Sequence, residues 1–326
     1  MWRKRASLAA GVVGFALVGN VAYACPPDAL HTIVVPYPSG TTDAIARLIA
    51  EHLGYPRVVI ENKGGADGSI GAGVVSRAEA DGCSIVIAST GTIVGYPAMH
   101  RASPYTAKSY TDLGEIGLYT MMFFVNPTKL PGVTSMRALI EYIREHPGKV
   151  NWGRPTPTSR IALAQLLWLT LGAKEEDRLV VSVPYKGEAQ AIQGLLAGDV
   201  DVVVATSAAG YEQVRSGSLI ALATTGVTQS RLYPDVPNMR DAGIAQWAPA
   251  ELTAGFYGPP NMQPKDVEEF AERVQRALEV PAVRNRLQGM GFEVGYLPPS
   301  EHAQRVLEQS DTWDRVIKYS GITPED

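Results

Sequence analysis

The feature that most constrains this fold is the alternation of short apolar runs with glycine-rich loops between residues 31 and 91. Three apolar runs of strand length are separated by two segments with the apolar periodicity of a helix. Strands that alternate with helices form βαβ units, whose right-handed crossovers produce a parallel sheet covered on both faces. We therefore expect strands at 31–36, 58–61 and 84–88, with a helix after each of the first two.

Three loops follow these strands, at 37–42, 62–69 and 89–92, and each is rich in Gly, Ser or Thr. The carboxyl ends of parallel strands lie on one edge of the sheet, where ligands of open sheets bind. Two of the loops lead into helix amino termini, whose free N–H groups and dipole favour a small anion. A single loop of this kind is more typical of an ordinary turn, but three on one edge favour a binding site.

The first 24 residues have the pattern of a secretory signal peptide. A basic start with Arg3, Lys4 and Arg5 precedes an apolar run at 8–21 and the small-x-small sequence 22–24. The apolar run is shorter than the roughly 20 residues of a membrane span. We expect cleavage after Ala24 and a periplasmic location, with a retained anchor as the alternative.

Removal of the three basic residues changes the formal net charge from −4 to −7. An acidic protein has no overall field that attracts anions, so an anionic ligand has to be held by local donors. The same balance argues against nucleic acid as a partner.

About 300 residues remain, which exceeds one ordinary hydrophobic core and predicts two lobes. A second α/β unit is expected, with strands at 149–152, 179–183, 200–205 and 219–224. Its helices are expected at 135–146 and 188–196, with a largely apolar helix between them that ends at 171. The chain then returns through 256–259 to three final helices at 265–278, 281–290 and 300–320. We predict a signal peptide at 1–24, a discontinuous first lobe at 25–125 plus 249–326, and a second lobe at 126–248. The ligand cleft should lie between the loop-bearing edges of the lobes.

The chain contains two cysteines, Cys25 and Cys83. In a sheet of order 2-1-3 the strands that follow them are neighbours, so both cysteines should lie on the edge away from the ligand. Since export leads to an oxidising compartment, we predict a disulfide between them. Lipidation of Cys25 is an alternative, although Leu is missing from the residues ahead of it, and free thiols are another.

Several motifs of the chain resemble one family of solute receptors. They are residues 35–47 (VPYPSGTTDAIAR), 59–71 (VIENKGGADGSIG), 80–82 (ADG), 183–187 (VPYKG), 195–201 (LLAGDVD), 231–237 (RLYPDVP) and 241–243 (DAG). These resemble the receptors of tripartite tricarboxylate transporters, also called the Bug or TctC-like family. The matches occur in order along almost the whole mature chain.

This resemblance implies a two-lobed α/β periplasmic binding protein of type II-like architecture, in which each lobe is a mostly parallel sheet flanked by helices. The ligand would be a small carboxylate, such as a di- or tricarboxylate, an acidic amino acid or an aromatic acid. The partners would be the permease subunits of a secondary transporter, and the receptor would be a monomer. The alternative is a sensor that docks on a two-component membrane kinase.

The expected ligand-binding residues lie in the loops of both lobes. In the first lobe they are Tyr37, Ser39, Gly40, Thr41, Gly65, Ala66, Gly68, Ser69, Thr90 and Thr92, and in the second they are Thr158, Ser159, Lys186, Asp201 and Ser207. The hydroxyl residues among them are equally suited to capping helices, and Tyr37 to packing. Lys186 and Arg154 are the cations of the second set of loops, where a solvated rim position is the alternative. Asp201 occupies the place of a family acidic residue that could accept a hydrogen bond from the ligand, or it merely begins a strand.

The chain departs from the family pattern at several points. The first loop is one residue shorter than the usual form, and Asp67 stands where the family tends to have glycine. Thr156 and Thr158 replace common glycines, and Ala162 a common histidine. These differences leave the identity of the ligand open. A negative Asp67 beside the anion site would favour a ligand with a cationic or hydroxyl group, or its side chain points to solvent, which is the arrangement we expect.

Motifs of the main enzyme classes are missing from the sequence. Residues 65–71 do not form the GxGxxG of a dinucleotide site, and there is no GxSxG elbow. The five histidines are scattered without the spacing of metal ligands. We therefore expect a protein that is not an enzyme and needs neither a cofactor nor a metal.

Overall fold

The computed structural model describes residues 25–324 except Pro27, Ser39 and Thr228. The strands are β1 His31–Val35, β2 Val58–Asn62, β3 Ser84–Ser89, β4 Thr111–Tyr119, β5 Met121–Val125, β6 Val150–Arg154, β7 Val180–Pro184, β8 Val202–Thr206, β9 Ile220–Thr224, β10 Leu252–Gly258 and β11 Glu293–Leu297. The helices are α1 Thr41–Ala50, α2 Ser69–Val75, α3 Tyr96–Met99, α4 Met136–Glu145, α5 Pro157–Leu171, α6 Glu188–Ala197, α7 Tyr211–Arg215, α8 Pro264–Glu279, α9 Pro281–Gly289 and α10 Pro299–Ser320. The predicted signal peptide and its cleavage site lie outside the described residues.

These elements form two mixed sheets flanked by helices. The first sheet has the order β11-β4-β10-β3-β1-β2, and the second has the order β7-β6-β8-β5-β9. Strands β1, β2 and β3 are parallel to one another, as are β6, β7 and β8. The two-sheet α/β fold expected from the sequence is confirmed, but the sheets are mixed rather than mostly parallel, because β4, β5, β9, β10 and β11 pair antiparallel to their neighbours. No helix in the described part of the chain is both long and apolar enough to cross a membrane.

The amino-terminal strands have the predicted order, with β1 between β2 and β3. Cys25 and Cys83 lie just before β1 and β3, and they form a disulfide with their Cα atoms 5.0 Å apart. The predicted pairing is therefore confirmed. It ties the start of the described chain to the edge of the sheet opposite the glycine-rich loops.

The chain passes between the sheets twice. It leaves the first sheet after β4 and enters the second at β5, which pairs with β8 and β9. It returns from β9 to β10, and the Thr225 hydroxyl donates to the Ala250 carbonyl oxygen at 2.7 Å beside this crossing. Because β5 belongs to the second sheet, the first crossing is near Thr120, whereas we placed the lobe boundary after Val125. The exact division into lobes stays a prediction.

The long carboxyl-terminal helix α10 links the two halves. It packs against α5, which follows a strand of the second sheet. Ile161 and Ala164 of α5 share one apolar cluster with Trp313 and Ile317 of α10. The amino terminus of α5 is thereby held close to the first sheet.

The sequence did not predict β4 or β11. Gly114 and Gly117 interrupt the apolar pattern of β4, and Glu115 is buried in it at 2% exposure. The guanidinium of Arg305 donates to Glu115 at 3.0 Å and to Glu251 at 2.8 Å. A buried carboxylate in a strand is therefore tolerated through a partner almost 200 residues away, which no local pattern reveals.

Candidate functional site

A cavity of about 600 Å³ lies between the carboxyl edges of the two sheets. We call it the central cleft. Most of its lining residues follow β1, β2 and β3 on one side and β6, β7 and β8 on the other. The three glycine-rich loops of the first sheet thus meet at one edge, as expected.

Tyr37 joins these three loops on the first-sheet side of the cleft. Its hydroxyl is hydrogen-bonded to the hydroxyl of Ser89 at 3.2 Å and to that of Thr92. The Thr92 hydroxyl lies 3.0 Å from the Asp67 carbonyl oxygen, to which it can donate. Burial raises the pKa of the Tyr37 phenol, so this side chain stays neutral and keeps its proton for hydrogen bonding. The network fixes the wall of the cleft.

Two helices begin in this wall without a side-chain cap. The residues before α1 and α2 are Gly40 and Gly68. Gly68 has φ +89°, and a Cβ atom there would lie 2.8 Å from the Thr92 hydroxyl oxygen. The backbone therefore comes closer to the neighbouring loop than any residue with a side chain allows. The start of α1 lines the cleft and brings backbone N–H groups and the positive end of its dipole there. At the start of α2 the N–H groups of Gly68 and Ser69 already donate to the carbonyl oxygens of Gly65 and Ala66.

The start of α5 forms the facing wall. The Thr156 side chain caps this helix by accepting from the Ser159 N–H at 3.2 Å. Thr158 lines the cleft, is fully buried, and its hydroxyl has no hydrogen-bond partner among the described residues. A Cβ atom on Gly91 would lie 3.4 Å from that hydroxyl oxygen, so the two halves of the cleft nearly touch at this point. A buried hydroxyl without a partner is costly unless a ligand or water satisfies it.

The start of α6 supplies the charged groups of the second-sheet side. Lys186 is exposed at the rim, and Glu188 is half-buried in the cleft. The Glu188 carboxylate accepts from the Thr206 N–H at 3.1 Å and from the Thr206 hydroxyl at 2.6 Å. Burial raises the pKa of Glu188, and its bonds to Thr206 partly offset that effect.

Eight of the fifteen predicted ligand-binding residues line the cleft: Tyr37, Gly40, Thr41, Gly65, Gly68, Thr92, Thr158 and Lys186. Ser39 lies outside the described residues. Ala66, Ser69, Thr90, Ser159, Asp201 and Ser207 are not among the lining residues. The ligand-binding role of all these residues stays a prediction.

Several of the residues away from the lining have structural partners instead. The Asp201 carboxylate accepts from the backbone N–H of Asn151 at 2.7 Å and from its side-chain amide at 3.2 Å. Asp201 directly precedes β8, so it lies at the amino end of a strand whose carboxyl end reaches the cleft. The Ser207 carbonyl oxygen accepts from the Tyr233 hydroxyl at 3.0 Å. Ser159 is fully buried beside Thr158.

Other lining residues were not predicted: Ser89, Tyr119, Glu188, Thr206, Leu252 and Met290. Glu188 is the first residue of the helix predicted at 188–196, so its place in the first turn of α6 was a usable signal. Tyr119 belongs to β4, which the sequence pattern did not reveal. Asp67 is exposed, as expected, but it faces the cleft as one of its lining residues.

Groups of three or more His, Cys, Asp or Glu side chains arranged to hold a metal ion do not occur among the residues that the structure describes.

The comparisons with known proteins agree on one family. The sequence profile of the tripartite tricarboxylate transporter family receptor matches residues 42–322. Protein BugT of Bordetella pertussis is 28% identical over 297 residues, which cover 89% of this chain and 88% of BugT.

Solved structures of the same kind superpose along most of the chain. The periplasmic binding protein BugD is 27% identical with a TM-score of 0.73, covering 90% of this chain and 97% of BugD. Rpa4515 of R. palustris, solved with adipate, is 26% identical with a TM-score of 0.77, covering 90% and 98%. MatC from Rhodopseudomonas palustris, solved with bound malate, is 26% identical with a TM-score of 0.74, covering 88% and 98%.

Proposed function

The chain belongs to the tripartite tricarboxylate transporter receptor family, and on that premise we propose that it binds a small carboxylate in the central cleft and delivers it to a membrane transporter. The family and the fold are those of solute-binding receptors. Two structural neighbours were solved with adipate and with malate, which supports a carboxylate as the ligand.

The observation that carries this proposal is the pair of facing helix starts in the cleft. On one side α1 begins without a side-chain cap. On the other side the start of α5 holds the buried, unpartnered hydroxyl of Thr158. A carboxylate placed between them accepts hydrogen bonds from both sheets at once, and such charge-assisted bonds are stronger than neutral ones.

Binding follows from this geometry without any chemical step. The two crossings between the sheets form a hinge, and the protein samples open and closed arrangements. The ligand stabilises the closed one because only there do both walls contact it. The permease subunits recognise the closed shape, and the ligand leaves the cleft unchanged. The receptor acts as a monomer in the periplasm after removal of residues 1–24.

A thermal-shift screen of the mature protein tests this function. The set contains mono-, di- and tricarboxylates, amino acids and aromatic acids, with neutral sugars as the control. A ligand that binds only the folded state raises the melting temperature by mass action, so at least one acid should do so. A shift with a sugar and with no acid would refute the carboxylate assignment.

A further inference from the structure

The charges of the central cleft point to a feature of the ligand beyond its carboxylate. Three charged side chains line the cleft, namely Asp67, Lys186 and Glu188. Their sum is negative before any ligand enters. A ligand that is purely anionic adds to this negative charge, whereas a ligand that also carries a positive group compensates it.

Glu188 is the acidic residue best placed to contact a ligand. Two hydrogen bonds from Thr206 hold its carboxylate in position. A carboxylate has about four acceptor sites, so roughly two remain for other donors. No described cation lies within ion-pair distance of it. Glu188 is therefore a fixed, half-buried acceptor whose charge is not neutralised by the described side chains.

The charge of Glu188 also reaches the opposite wall. Burial is the main cause of the raised pKa of the Tyr119 phenol, and the negative charge of Glu188 contributes to it. Tyr119 ends a strand of the first sheet and lines the cleft. Since Tyr119 and Glu188 line the same cavity, a group bound between the two walls lies near this carboxylate.

A second feature indicates that the ligand has more than one polar anchor. The Thr158 hydroxyl is fully buried in the cleft wall and has no partner among the described residues. It belongs to the start of α5, while Glu188 begins α6. The Thr158 hydroxyl thus offers a donor to an anion, whereas the first turn of α6 carries the negative charge of Glu188, which repels an anion there and suits a donor.

We propose that the ligand carries an amino group, which donates to Glu188, in addition to the carboxylate held by the helix starts. This inference rests on the proposed function and narrows it to amine-bearing acids. The charged amine is preferred over a hydroxyl because an ammonium group both donates hydrogen bonds and neutralises the excess negative charge of the cleft. Glu188 is then the residue that sets the specificity.

Isothermal titration with matched acids tests this inference. The pairs are aspartate and succinate, glutamate and glutarate, and 2-aminoadipate and adipate, with 6-aminohexanoate as an acid that has one carboxylate. In the pair that binds most tightly, the wild-type protein should bind the amine-bearing acid at least tenfold more tightly than the acid without the amine. Glu188→Gln keeps the size of the side chain and should reduce this preference to less than threefold.

The control variant is Glu212→Gln, because Glu212 is an exposed acidic residue on α7 that pairs with Arg215 away from the cleft. It should keep the wild-type preference. If Glu188→Gln does not fold, Glu188→Ala replaces it, since alanine suits the first turn of a helix. Circular dichroism and the unfolding midpoint establish that each variant is folded.

The possible outcomes separate the inference from the proposed function. Tighter binding of unsubstituted dicarboxylates by the wild-type protein would overturn the inference and leave carboxylate binding intact. An amine preference that survives in Glu188→Gln would overturn the role of Glu188. If no acid of any kind binds, the proposed function fails, and the inference fails with it.

Discussion

Replacement of Thr158 by valine separates a structural role of this residue from ligand binding. Valine has nearly the shape of threonine but lacks its hydroxyl group. That hydroxyl is fully buried and has no partner among the described residues, so its removal breaks no hydrogen bond with any of them. We expect the free energy of unfolding without ligand to stay the same or to rise, because a buried unsatisfied polar group is lost.

The effect on binding should have the opposite sign. A hydrogen bond to a charged group contributes roughly 1.5–3 kcal/mol. A loss of this size weakens carboxylate binding by about 10- to 150-fold, since each 1.4 kcal/mol corresponds to a factor of ten. The assay is isothermal titration of Thr158→Val with the tightest-binding acid of the screen, together with urea unfolding of the free protein.

The neighbouring residue supplies a matched control. Ser159 is equally buried, and its hydroxyl also lacks a partner among the described residues, but it does not line the cleft. Ser159→Ala should therefore keep the affinity of the wild-type protein. Binding by Thr158→Val within twofold of wild type, or an equal loss in Ser159→Ala, would refute the reasoning about the start of α5.

Three further perturbations test the frame of the cleft. The double variant Cys25→Ser/Cys83→Ser opens a loop with a sequence separation of 58, and the chain-entropy relation predicts a loss of about 4 kcal/mol in the free energy of unfolding, measured by urea titration. Gly68→Ala places a side chain on a residue with φ +89°, which should lower the free energy of unfolding by roughly 1–3 kcal/mol and weaken carboxylate binding. The control is Gly289→Ala at the end of a helix, where a Cβ atom meets open space, and it should raise the free energy of unfolding by about 0.5–1 kcal/mol. Burial raises the pKa of Asp112 to about 7, above its value in the unfolded chain. The folded state therefore keeps this proton to a higher pH than the unfolded state, and the free energy of unfolding falls as the pH rises from the unfolded pKa towards 7. In unfolding titrations, the free energy of unfolding of Asp112→Asn relative to that of the wild-type protein should therefore be higher at pH 8 than at pH 5. The opposite order would contradict the assignment.

The glycine-rich loops of the first sheet were the part of the candidate site most accessible from sequence. Tyr37, Gly65 and Gly68 follow strands of a βαβ pattern, and such a pattern determines the edge to which every loop belongs. Asp201 illustrates a limit of family resemblance. It precedes its strand, so strand direction alone places it at the end away from the cleft.

The second-sheet side was less predictable, because long-range packing decides which helix residues face the cleft. The sequence places Thr158 and Ser159 side by side at a helix start, but only the packing of α5 against α10 determines which of them reaches Gly91. The same holds for Glu188, whose orientation depends on hydrogen bonds to a residue on another strand.

From the sequence alone came the order of the amino-terminal strands and helices, the edge that carries the glycine-rich loops and the pairing of the two cysteines. These follow from local periodicity, turn chemistry and the handedness of βαβ crossovers, which depend on neighbouring residues. Which side chains meet across the cleft, and how buried charges such as Glu115 are paired, became visible only in the folded molecule. Those contacts join segments far apart in the chain, and their geometry depends on the packing of whole helices against sheets, which no local pattern encodes.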